Sequence, residues 1–223
     1  MSGKDKLRKF RENETFSCLI QPPMEDVLNK VHPLAGKWNE EVFHNDNPIV
    51  LELGCGKGEY TIALAERYPN INYIGVDIKG ARLWKGAKYA TENALPNVAF
   101  LRTRIDFIKS LFAKDEVSEI WVTFADPQPK RENKRLTSPI FLERYKSFLK
   151  KGGILNLKTD SQLLHEYTLE VAPSAGFDII EHNADIYGSG RVTDDDILNV
   201  KTFYESMFLA QGLPITYAKL ELK

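Results

Sequence analysis

Ile49-Val50-Leu51-Glu52-Leu53-Gly54-Cys55-Gly56-Lys57-Gly58 opens the ordered part of the chain: a short apolar run that ends in glycines at alternate positions. A run of this length, preceded by Pro48 and closed by a glycine turn, predicts a buried strand. Tyr60, Ile62, Ala63, Leu64 and Tyr68 then supply a helical stripe that stops before Pro69. The alternation continues outward from there. Strands are predicted at 73–77, 98–101, 119–124 and 154–158, with helices at 79–93, 105–114, 138–149 and 162–171. Beyond Gly176 come a strand at 177–181, an Asp- and Gly-rich loop at 185–196, a helix at 201–210 and a closing strand at 215–220. Strands alternating with helices mean crossover connections and parallel pairing. The expectation is an α/β fold: a mostly parallel seven-stranded sheet with helices on both faces, Rossmann-like, its last strand antiparallel. Residues 1–15 are polar and read as an arm. Prolines 22, 23 and 33 with Gly36 break up 16–47. The expected organisation is a lead-in at 1–47 and one domain at 48–223.

Composition narrows the classes. The 223 residues are 43% apolar and 27% charged, with 30 Lys+Arg against 31 Asp+Glu and a net charge of −1. That is an ordinary globular profile. The charge is unevenly spread: the tracts 4–11, 79–88 and 130–135 are basic, and acid is concentrated in 185–196. Two cysteines, Cys18 and Cys55, exclude a disulfide scaffold or a cysteine zinc site. The first residues lack the apolar core of a secretory signal, and no run approaches a membrane span. The chain reads as cytoplasmic, with no membrane association. Its histidines, 32, 44, 165 and 182, have no metal spacing, so no metal is expected.

In an open parallel sheet, ligands bind at the carboxyl ends of the strands. The turn after Leu53 is such an end, and Gly54 and Gly56 let backbone approach a ligand without a Cβ in the way. A dinucleotide fingerprint needs glycine at position 59, where Glu59 stands, and no Gly-Lys-Ser/Thr completes a phosphate loop. A cofactor with a cationic centre and a ribose fits better. Glu52 can face an ammonium or sulfonium, and Asp77 can accept from two ribose hydroxyls. S-adenosylmethionine has these parts.

Leu51-Glu52-Leu53-Gly54-Cys55-Gly56-Lys57-Gly58 with Gly75-Val76-Asp77 resembles the first two motifs of class I methyltransferases. Four later motifs are more specific: Phe124-Ala125-Asp126-Pro127-Gln128-Pro129-Lys130, Lys134-Arg135-Leu136, Lys158-Thr159-Asp160 and Thr202-Phe203-Tyr204-Glu205. In this order they resemble the single-subunit bacterial tRNA (guanine-N7-)-methyltransferases, over about 48–220. The resemblance implies a methyl transfer from S-adenosylmethionine to N7 of a tRNA guanine in the variable loop, without an obligatory protein partner. It makes Asp126 the catalytic aspartate, also counted with the cofactor ligands Glu52, Gly54, Gly56 and Asp77. It makes Lys130, Asp160, Thr202 and Glu205 substrate-side residues. Where the family has an acidic or amide residue followed by Ala, this chain has Arg104-Ile105. Arg104, Asp106 or the Ile105 backbone is left to meet the adenine. Gln128 replaces the tryptophan common after Asp-Pro, and the basic tract beyond Lys130 is about one residue short.

Guanine N7 is already nucleophilic, so alignment and exclusion of water are the main tasks. Asp126 and Asp160 can grip the N1–H and 2-amino edge of the base. Lys130, Arg131, Lys134 and Arg135 follow the catalytic strand, where RNA phosphates would arrive. Phe203 and Tyr204 can stack on a base. Rival readings are a methyltransferase of exocyclic base amines, whose Asp/Asn-Pro-Pro-aromatic motif is half matched here, and a non-catalytic RNA-binding module.

Overall fold

The computed structural model describes residues 3–194 and 196–223. The chain divides into two compact units, one up to Ala113 and one from Lys114.

The first unit holds α1 (Gly3–Asn13), β1 (Leu19–Ile20), α2 (Met24–Val27), β2 (Ile49–Leu53), α3 (Glu59–Arg67), β3 (Asn72–Asp77), α4 (Gly80–Glu92) and β4 (Val98–Arg102). Its strands lie in the order β1-β4-β3-β2. All three pairings are parallel, with Leu53 opposite Val76 and Asp77 opposite Arg102. Every residue of β2 and β3 is buried, as expected of parallel strands covered on both faces. The predicted helix at 105–114 is instead a 3-10 turn, Ile105–Ser110.

The polar start of the chain is not an arm. It is helix α1, and it packs on α4: Trp84 donates through Nε1 to Glu12 at 2.6 Å, and Asn13 donates to the Gly80 carbonyl at 2.9 Å. Arg8 and Lys9 cover the Trp84 ring at 5.0 and 4.7 Å. Charged residues hid this contact, because their alkyl stems and cationic heads cover an aromatic face as well as an apolar side chain would.

Phe100 of β4 fills the space left by missing side chains. A Cβ on Gly86 would stand 2.5 Å from its ring and 2.8 Å from the Lys57 carbonyl oxygen, and a Cβ on Gly58 would stand 2.5 Å from the same ring. Alanine at a helical glycine normally gains about 1 kcal/mol. Here the clash with a fully buried ring and with backbone outweighs that gain. Gly86→Ala is expected to lower unfolding stability by about 1–3 kcal/mol in urea titrations.

The second unit holds β5 (Val117–Thr123), α5 (Pro139–Lys146), β6 (Leu149–Thr159), α6 (Gln162–Val171), β7 (Phe177–Asn183), α7 (Phe203–Ala210) and β8 (Thr216–Leu222). Its strand order is β5-β6-β8-β7. β5 and β6 are parallel, and β8 runs antiparallel to both β6 and β7. The described residues thus form eight strands where seven were expected. The additional one is β1, two residues long in a proline-broken segment and too short to give a periodic signal.

Candidate functional site

In the first unit, Gly54, Gly56 and Gly58 have φ of 81°, 59° and 73°, a backbone region that other residues enter at a cost. The turn is pinned to β3, because Gly54 N and Cys55 N both donate to the Val76 carbonyl, at 2.8 and 3.1 Å. Asp77 adds two ties: Oδ2 accepts from Gly56 N at 3.0 Å and Oδ1 from Lys79 N at 2.7 Å. Glu52 is 5% exposed. Its Oε2 accepts from Thr61 N at 2.9 Å and from the Thr61 hydroxyl, at the positive end of α3. Thr61 had no signal in the sequence beyond its place in the first turn of a helix.

Glu52 and Asp77 are thus oriented by backbone N–H groups; each Asp77 oxygen has two lone pairs, so Asp77 can accept further hydrogen bonds. A Cβ on Gly56 would meet nothing within 4 Å, which marks open space against the turn. Cys55, between the two acids, is no nucleophile: burial, then the charges of Glu52 and Asp77, push its thiol well above the usual range.

Past the end of β4, a cavity of about 250 Å³ is lined by Met24, Val27, Ile78, Arg104 and Phe107, among others. Thr103 N donates to the Asp77 carbonyl at 3.2 Å, which ties this cavity to the end of β3. Arg104 pairs with Asp106 at 3.2 Å and lies over the Phe107 ring at 5.7 Å. A roomier groove of about 490 Å³ lies between α3 and α4 and reaches Lys57 and Gly58 at the far end of the turn.

In the second unit, the chain leaves β5 through a strained turn. Phe124 and Gln128 have φ of 49° and 45°, a region that costs a non-glycine residue about 1–3 kcal/mol. Between them stands Asp126, exposed, its Oδ1 accepting from Gln128 N at 2.9 Å. Lys130, Arg131 and Lys134 are exposed as well, whereas Arg135 is buried.

Lys158 and Glu205 are both completely buried. The Lys158 ammonium donates to the carbonyls of Leu198 and Val200 at 2.6 and 3.0 Å and to Glu205 Oε2 at 2.9 Å. Tyr187 donates to Glu205 Oε1 at 2.7 Å. Burial pushes the ammonium below its ordinary value, and the Glu205 carboxylate opposes that shift. Glu205 therefore anchors the loop inside the protein, and Thr202 caps α7 by accepting from Glu205 N at 3.2 Å. Several apolar side chains of α7 point out instead: Phe203 is 57% exposed, and Tyr204 and Met207 are exposed too. Phe208 contacts Phe124 at 6.0 Å between ring centres, which sets α7 beside the Asp126 turn.

Asp160 follows β6. The cap of α6 is its neighbour Ser161, whose Oγ accepts from Leu164 N at 3.2 Å. Asp160 is half-buried, and burial raises its carboxyl above the ordinary range.

A family model described as "Putative methyltransferase" matches residues 46–217. A tRNA (guanine-N(7)-)-methyltransferase of Christiangramia forsetii is 52% identical over 225 residues, covering 100% of each chain. One of Bacteroides fragilis is 49% identical, covering 99% of this chain and 86% of its own. Among solved structures, the 16S rRNA methyltransferase KamB superposes with a TM-score of 0.64 at 17% identity, over 82% of this chain and 92% of that one. At that identity the likeness concerns the fold, which is that of the class I methyltransferases. The near-complete coverage at about half identity settles the family: this chain belongs to the tRNA (guanine-N(7)-)-methyltransferases.

Proposed function

We infer that this protein is an enzyme that methylates N7 of a guanine in tRNA, with S-adenosylmethionine as methyl donor. The observation that carries the reading is 52% identity to a relative of that name along the whole of both chains. The target is taken to be the variable-loop guanine. The enzyme is assigned to the cytoplasm and acts without an obligatory protein partner. No helix among the described residues is long and apolar enough to cross a membrane. Residues 48–223 are assigned as the methyltransferase domain, with 1–47 as a lead-in whose α1 packs on α4.

Bound S-adenosylmethionine supplies an electrophilic methyl on a sulfonium. Asp77 would accept from its ribose hydroxyls and Glu52 would face its cationic end, while Gly54 and Gly56 keep the turn bare of side chains. Arg104, Ile78 and Phe107, which line the cavity past β4, would hold its adenine. In the second unit, Asp126 and Asp160 accept from the N1–H and 2-amino groups of guanine. As the N7 lone pair forms the new bond to the methyl carbon, the methyl–sulfur bond breaks and its electron pair stays on sulfur as a neutral thioether. The positive charge passes to the purine, and two carboxylates on its far edge favour that charge. Lys130 meets phosphate, and Phe203 and Tyr204 stack against a base. Thr202 and Glu205 act on the substrate from beneath, by fixing α7.

Methylation of a tRNA transcript, with the product nucleoside identified by mass spectrometry and its position mapped, tests the reading. A methyl on an exocyclic amine, or none, would refute it.

Asp160→Asn separates chemistry from stability. The folded carboxyl is raised, so its contribution to stability is present below the ordinary value of about 3.9 and is lost as pH rises through the folded value. At pH 7 the charged form is therefore a burden. Asp160→Asn is expected to be at least as stable as wild type in urea at pH 7, yet about tenfold or more slower in methyl transfer, consistent with loss of one charged hydrogen bond. A variant that is less stable and fully active contradicts the assignment.

A further inference from the structure

We propose that Arg135, whose guanidinium lies over the Tyr167 ring, is a positioning residue that holds the Asp126 turn in its working shape, and is not a ligand of RNA phosphate. This deepens the methyltransferase reading and rests on it.

The basic tract is not uniform. Lys130, Arg131 and Lys134 are exposed, but the Arg135 side chain is only 3% exposed. Counterion release needs cations that a phosphate can reach. Arg135 is turned inward: its Nε donates to the Pro127 carbonyl at 3.0 Å, and its guanidinium lies 4.2 Å from the centre of the Tyr167 ring. Its charge is met by Glu132 at 3.5 Å.

The Pro127 carbonyl belongs to the peptide that joins Pro127 to Gln128, inside the turn bounded by the left-handed Phe124 and Gln128. Such backbone persists only where its surroundings over-determine it, and Arg135 supplies a restraint at the centre of the turn. The residues beside it are fixed as well. Tyr145 donates to the Leu136 carbonyl at 2.9 Å, and the buried hydroxyls of Thr137 and Thr168 are 2.7 Å apart. Tyr167 and Thr168 belong to α6, the helix that begins directly after Asp160 and Ser161. Arg135 thus references the position of Asp126 to the element that follows Asp160. A guanidinium can stack flat on a ring while one edge N–H donates at a fixed angle, which an ammonium cannot do.

The test uses the full chain and a tRNA transcript, with single-turnover methylation at saturating RNA and RNA binding at several salt concentrations. Arg135→Lys is expected to slow the saturated rate about 10–100-fold, the scale of a small misplacement of reacting groups. RNA affinity and its log–log salt slope should stay as in wild type. Weaker binding with a slope smaller by about one, at an unchanged saturated rate, would identify a phosphate ligand and overturn the proposal. Tyr167→Leu should reproduce the rate loss and Tyr167→Phe, which keeps the ring, should restore it. This pair decides the matter even if Arg135→Lys does not fold. Tyr167→Leu with a lowered melting temperature but a normal rate per folded molecule also overturns the proposal. A wild-type chain that forms no 7-methylguanosine defeats the functional reading itself, before any variant is compared.

Discussion

Asp126→Asn is expected to cut the single-turnover rate about 10–100-fold at saturating tRNA, with RNA affinity nearly unchanged. The substitution keeps the size of the side chain and one acceptor oxygen, so the bond from Gln128 N can survive. What disappears is the negative charge on the base edge as the purine becomes cationic. A hydrogen bond to a charged group contributes about 1.5–3 kcal/mol, which corresponds to that range of rates. Because the interaction strengthens as charge develops, the loss falls on the chemical step more than on binding. Rapid-quench measurement of 7-methylguanosine formation checks it, and an unchanged rate at saturation removes Asp126 from the chemistry.

Lys158→Met should be the most damaging single substitution for stability in the second unit, by about 3–5 kcal/mol in urea titrations. The methionine fills most of the space, but the buried Glu205 carboxylate keeps only the Tyr187 hydroxyl and loses its counter-charge, and the carbonyls of Leu198 and Val200 lose the ammonium as donor. Adding Glu205→Leu should recover part of the loss, since the unpaired charge goes with it. Equal damage in the single and double variants would mean that the ammonium matters only for the two carbonyls. Methylation by Lys158→Met should fall further than its folded fraction explains, because Phe203 and Tyr204 depend on α7 for their placement.

The strand ends were legible because parallel strands are almost wholly apolar and glycines mark where they stop. β2 and α6 form over the expected residues, and α4 within one residue at each end. The same pattern put Glu52 near the end of β2, Gly54 and Gly56 in the turn after it, and Asp77 at the end of β3, hydrogen-bonded to that turn. What the sequence concealed was orientation. Arg135 and Lys134 are adjacent basic residues in one tract, yet one is buried and the other exposed. Glu205 sits between an exposed tyrosine and an exposed serine, and its burial is set by Lys158, 47 residues earlier. Such inversions arise from partners distant in sequence, and hydrophobic patterning carries no record of them. α7 is the sharpest case: its single buried residue is its charged one.

The Phe100 ring against Gly58 and Gly86 has a consequence for how such a chain can drift over generations. None of the three positions can change by itself without a clash or a void. A smaller residue at 100 would leave a hole, yet a methyl group at 86 could not fill it, because it would still stand 2.8 Å from the Lys57 carbonyl oxygen. Position 58 has less freedom, since its φ of 73° requires glycine whatever the ring becomes. Among distant relatives, glycine should therefore persist at both 58 and 86 even where the residue at 100 differs.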